Sequence, residues 1–175
     1  MGDEIGILTK RRIQAEVIKP IYEVMKRELG AQRAQAIIGE AISSDSIREG
    51  KVYAAREPGG ADIQSFARLQ YLWEKDDALE VEVAAADETR FNYNVTRCRY
   101  AEMYHEMGVG EIGHLLSCNR DADFIVGYDN RVELTRSSTI MGGGSCCDFK
   151  YRVKPSGSED DAPHSNALDG DPKTT

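Results

Sequence analysis

The hydrophobic period of this chain changes once, near residue 78, and that change does most to fix its fold class. Before it, apolar residues recur every three or four positions. After it, they begin to alternate. Ile13, Val17, Ile21 and Val24 step at helical spacing, with Ile18, Met25 and Leu29 beside them, and Gly30 ends the pattern. Pro20 lies inside this apolar stripe, so a kink or a restart is expected there. A second helix is predicted over 31–49, presenting Ala34, Ile37, Ile38, Ala41 and Ile42, with Gly50 as its stop. After the turn Pro58-Gly59-Gly60, Asp62 is suited to cap a third helix that buries Ile63, Phe66, Ala67, Gln70 and Trp73.

From Leu79 the pattern has period two. Leu79, Val81 and Val83 alternate with Glu80 and Glu82, and Phe91, Tyr93 and Val95 alternate with Asn92 and Asn94. With a turn at Ala86-Asp87-Glu88-Thr89 between them, these runs predict a hairpin. Residues 98–117 return to helical spacing, interrupted near Gly108 and Gly110, and 124–127 reads as a short strand or loop. A second hairpin is expected to close the body. Val132, Leu134, Arg136, Ser138 and Ile140 would share one strand face, and Cys147, Phe149, Tyr151 and Val153 one face of the next. Gly142-Gly143-Gly144 would supply the turn between them, where positive φ is needed. The expectation is an α+β fold: N-terminal helices packed on an antiparallel sheet of about four strands, built from two hairpins with helices between them. Residues 1–155 read as one domain, helical over 1–75 and sheet-containing over 76–155. Residues 156–175 read as an acidic disordered tail.

A net charge of -8 argues against nucleic acid or an anionic membrane surface as partner. About half of that charge lies in the tail, so the body is only mildly acidic. No export signal and no run of about twenty apolar residues is present, which points to a cytoplasmic chain with reduced cysteines.

Chemistry-bearing residues gather in the second half. Arg136 falls on the apolar side of its predicted strand, where a charge is costly unless paired. It can bridge internally to Asp121 or Asp148, or clamp a substrate carboxylate with its planar fork. Cys118-Asn119-Arg120-Asp121 places a thiol three residues before a carboxylate, just past a predicted helix end. A cysteine nucleophile needs a lowered pKa, although any one thiol is more often a core residue than a catalyst. The same groups could instead hold zinc: Cys98, Cys118, Cys147 and Asp121 or His105 have the right ligand chemistry but no compact knuckle spacing. Gly142-Gly143-Gly144-Ser145 is no phosphate loop, since no helix-opening glycine motif surrounds it.

Three stretches, RRIQAEVIKPIYEVMKRELG, FNYNVTRCRYAEMYHEMGVGEIGHLLSCNRDADFIVGYD and VELTRSSTIMGGGSCCDFKY, together resemble the L-2-amino-thiazoline-4-carboxylic acid hydrolase family. The likeness runs from Ile7 to Tyr151. Lys150 stands where the family form C-D-F-R-Y has arginine, and Ser137-Ser138 where R-T-x-T-I is usual. The resemblance implies hydrolytic opening of a five-membered cyclic amidine to a carbamoyl-cysteine, with Cys98, Cys118, Asp121, Arg136, Cys147 and Asp148 as motif residues. On this reading Cys118, Asp121 and Cys147 are catalytic, and Arg136, Asp148 and His105 bind substrate. Cys98, Cys118, Asp121 and Cys147 would be the ligands if a single divalent metal, rather than no cofactor, serves the reaction. The expected partner is a small-molecule carboxylate, and the apolar first helix could serve contact between copies. The second half alone also resembles vinyl-reductase-like domains, which implies a non-catalytic small-molecule sensor as the alternative.

Overall fold

The computed structural model describes residues 5–155, so the expected acidic tail lies outside the described residues. Helices α1 (Ile7–Leu29) and α2 (Ala31–Ala54) are joined only by Gly30, whose φ of 79° lets the chain reverse in one residue. Two short helices follow, α3 (Ile63–Leu69) and α4 (Tyr71–Glu74), and then the hairpin β1 (Leu79–Ala86) and β2 (Arg90–Cys98). Next come α5 (Arg99–Glu106), α6 (Gly110–Gly113) and α7 (Asn119–Tyr128), and last β3 (Val132–Thr135) and β4 (Cys147–Val153). The four strands form one antiparallel sheet in the order β1-β2-β4-β3. The α+β architecture is the expected one. Asp62 does cap α3: its carboxylate accepts the Ser65 N–H at 2.6 Å, and the Ser65 hydroxyl accepts the Asp62 N–H at 2.9 Å.

Strand β4 is central. Its residues pair with β2 from Val95↔Cys147 to Arg90↔Arg152, and with β3 from Thr135↔Lys150 to Val132↔Val153. Alternation turns Cys147, Phe149 and Tyr151 inward onto an aromatic core with Phe66, Phe91, Tyr93 and Phe124. A second apolar cluster joins α1, α2 and α5 through Ala15, Tyr22, Ile38, Met103 and Tyr104.

The structure departs from the sequence reading in five places. Helix α1 continues through Pro20 without restarting, with the proline on its exposed side. Its expected core stripe also faces outward: Ile13, Val17, Ile21 and Val24 are exposed, whereas Arg11, Ala15 and Tyr22 are buried. The inward face is the one that lets Arg11 reach Glu49 and Tyr22 reach Gln35 on α2. Gly50 does not stop α2. It lies within the helix, where a Cβ would run into the Phe124 carbonyl, and Gly127 meets the Ile47 carbonyl in the same way. These two glycines bring the backbones of α2 and α7 into contact. Residues 124–127 are helical, because a π-helical turn at His114–Cys118 joins α6 to α7 in one continuous run. Strand β3, finally, ends at Thr135 rather than Ile140. The Asp148 carboxylate takes the Ser137 and Ser138 N–H groups at 2.8 and 2.7 Å, which diverts that backbone from the ladder into a loop over 136–146.

A candidate active-site cavity between the sheet and the broken helix

Inward-facing sheet residues and the helical run 110–128 enclose a cavity of about 70 Å³, room for on the order of five water-sized groups. Tyr93, Val95, Cys147, Phe149 and Tyr151 form its floor, and Phe66, Gln70 and Trp73 one wall. Cys98 and Tyr100 close a second side, Cys118, Arg120, Asp121 and Phe124 a third, and Arg11 and Met141 also border the space. The lining is mainly aromatic, with its polar groups confined to a few positions, as small-molecule pockets usually are.

One of those positions is built around Arg136. Its Nη1 donates to Asp121 Oδ2 at 3.0 Å and its Nη2 to the Cys118 carbonyl at 2.9 Å. The guanidinium lies 4.9 Å over the Phe149 ring. Arg136 therefore starts the loop past β3 instead of sitting on the strand face, and of its two expected carboxylate partners it meets Asp121. Burial raises Asp121 to about 6, against the opposing pull of Arg136. Among the described residues, nothing hydrogen-bonds its Oδ1.

The thiols are all free. Burial, reinforced by Asp121, pushes Cys118 to about 12, even though Arg136 acts the other way. Cys98 rises to about 11 through burial. Burial also raises Cys147, whose sulfur accepts the Ile140 N–H at 3.2 Å. Each is thus a neutral thiol near pH 7, and attack by any of them requires a base to take the proton. Burial holds the Tyr93 and Tyr151 hydroxyls protonated.

Five of the residues singled out from sequence, Cys98, Cys118, Asp121, Arg136 and Cys147, border this one cavity. Two do not. Asp148 points to the opposite side of β4, where Ser137, Ser138 and Lys150 hold it in its charged form; it shapes the loop that carries Arg136. His105 is exposed on α5 and borders a shallow outer groove with Thr96, Arg97 and Glu102. The metal set of Cys98, Cys118, Asp121 and Cys147 is not assembled either. No three His, Cys, Asp or Glu side chains among the described residues are grouped to hold a metal ion. Asp121 is engaged by Arg136, and the Cys147 sulfur by a backbone donor.

The sequence reading also passed over a second charged position on the wall. Arg120 is only 4% exposed. Its Nη2 donates to Glu49 at 2.8 Å and to Asp45 at 3.0 Å, and Arg11 reaches the same Glu49 oxygen at 3.4 Å. Although burial alone would raise Glu49, Lys10, Arg11 and Arg120 hold it at about 2. A sequence signal existed: Leu116, Arg120, Phe124 and Tyr128 recur every four residues and are all buried, so a charge stands inside an apolar helical stripe.

The model of the L-2-amino-thiazoline-4-carboxylic acid hydrolase family matches residues 10–151. The chain belongs to that family. No curated protein matches it significantly. Among solved structures it is similar to the phenol-responsive sensory domain of the transcription activator PoxR with phenol, with a TM-score of 0.51 and 9% identity over 78% of this chain and 73% of that one. At that identity the likeness is one of fold. The family is one of hydrolases, which supports hydrolase activity at the family level. Among the described residues no helix is long and apolar enough to cross a membrane.

Proposed function

We propose that the cavity hydrolyses a small cyclic amidine carboxylate, with 2-aminothiazoline-4-carboxylate as the type, to a carbamoyl-amino acid. The observation that carries this reading is the placement of a thiol and a carboxylate poised near pH 6, Cys118 and Asp121, in one small aromatic cavity. As the Cys118 sulfur bonds to the amidine carbon, its proton passes to Asp121. The ring bond at that carbon then breaks, and the departing ring heteroatom takes the proton from Asp121. Water, deprotonated in turn by Asp121, adds to the same carbon. The carbon–sulfur bond to Cys118 breaks, the proton returns to the thiol, and the net change is the addition of one water. Arg136 keeps Asp121 oriented and offsets the charge that each transfer creates. The base in this scheme is Asp121.

Incubating the purified protein with 2-aminothiazoline-4-carboxylate and following the ureido product by chromatography tests the scheme. Turnover is expected in the parent, and its collapse in Cys118→Ala and Asp121→Asn. Full activity in both folded variants would overturn it. The mainly aromatic lining favours one second reading, a sensor that retains a small ring without converting it. Saturable binding with no product would select that reading.

A further inference from the structure

The cavity wall carries buried donors that lack acceptors. Arg120 Nε and Nη1 have no hydrogen-bond partner, and neither has Gln70 Nε2. Both side chains border the cavity, and both are more than nine-tenths buried, at 4% and 8% exposure. Leaving such groups unanswered is costly, most of all for a guanidinium, so each calls for an explanation. Arg136, another of the cavity arginines, is different: Asp121, the Cys118 carbonyl and the Phe149 ring already occupy it. The chain's own carboxylates do not relieve Arg120, because Asp45 and Glu49 both bond to Nη2 alone. The unanswered groups bordering the cavity, Gln70 on one wall and Arg120 on another, are all donors, so the missing component is rich in acceptors.

We infer that Arg120, assisted by Gln70, is the anchor for the ligand's carboxylate, and that it sets a preference for anionic five-membered rings. This rests on the proposed small-ring occupant but not on its turnover. The division of labour follows from placement. Arg136 stays with Asp121 and Cys118, where bonds change, while Arg120 fixes the non-reacting end of the ring. A ligand carboxylate here would face Arg120 and Arg11, with Glu49 and Asp45 behind them balancing the charge.

The test uses two stable rings of equal size, thiazole-4-carboxylate and thiazole-4-carboxamide, and measures their dissociation constants by calorimetry on the full chain. The parent is expected to bind the carboxylate more tightly. Arg120→Lys keeps the charge opposite Asp45 and Glu49 but removes the unanswered nitrogens, and should cut the preference by about 10- to 100-fold. Its carboxamide affinity should stay within about twofold, which also reports an intact cavity. Gln70→Leu, which leaves the charged network untouched, should cut the preference by about 3- to 10-fold. The inference falls if the parent does not discriminate, if both variants keep the parent's ratio, or if only Arg136→Gln abolishes it. Absence of amidine turnover would sink the catalytic scheme alone, since these binding constants do not depend on it.

Discussion

Glu49 and Asp121 both face arginines in half-buried settings, yet they sit at opposite ends of the carboxylate range, at about 2 and about 6. Burial acts in the same direction on both. The cations around them differ: Lys10, Arg11 and Arg120 converge on Glu49, whereas among the described residues Asp121 has Arg136 as its only hydrogen-bonded cation. Glu49 is thereby fixed as a permanent anion that holds α1, α2 and α7 together. Asp121 is left able to gain and lose a proton near neutrality, as a general base must. The same chemical pair is structural at one position and reactive at the other.

If that contrast is right, Asp121→Asn should lower kcat for ring opening by about 10²- to 10⁴-fold while leaving the thermal midpoint equal or higher, measured by steady-state kinetics and calorimetry. Cys118→Ala should cause a loss of similar order, whereas Cys98→Ala should stay within about tenfold. Glu49→Gln should do the reverse and leave two buried guanidinium groups undercompensated. Urea titration should show a loss of about 2–4 kcal/mol. Gly50→Ala should cost about 3 kcal/mol in the same assay, because the Phe124 carbonyl occupies the space its methyl needs.

The smallest effects are those of pH, and they have opposite signs at the two carboxylates. Asp121 has a raised pKa, so its protonated form suits the fold, and its contribution to stability declines as pH rises from 3.8 to about 6. Activity should rise over the same upper range as the base ionises. Glu49 has a depressed pKa, so its contribution is full above 4.5 and is lost as pH falls toward about 2. Melting curves of the parent, Asp121→Asn and Glu49→Gln across pH 2 to 8 separate the two: each variant should flatten only its own limb.

The fold was legible from the sequence wherever one periodicity held without competition. The β1–β2 hairpin, the Asp62 cap and the gathering of Cys98, Cys118, Asp121, Arg136 and Cys147 needed only spacing and residue type. The failures have a common cause in long-range pairing. Helix α1 has two plausible inward faces, and the choice is settled by where Glu49 stands on α2. Residues 136–140 read as strand by alternation, but a carboxylate eleven residues from Ser137 takes the backbone donors there. Gly50 reads as a helix stop because its role in the close approach to α7 is invisible in one dimension. Arg120 hid beside Asp121, which drew attention as the chemically obvious neighbour.

The middle position of β4 has a further implication. Its ladder bonds engage the backbone, while alternate side chains at Cys147, Phe149 and Tyr151 set the depth and shape of the cavity floor. Exchanging those residues would recontour the chamber while leaving the ladder bonds in place, at a cost in packing because all three belong to the aromatic core. A fold of this kind can therefore acquire new molecular tastes by altering pegs along one strand.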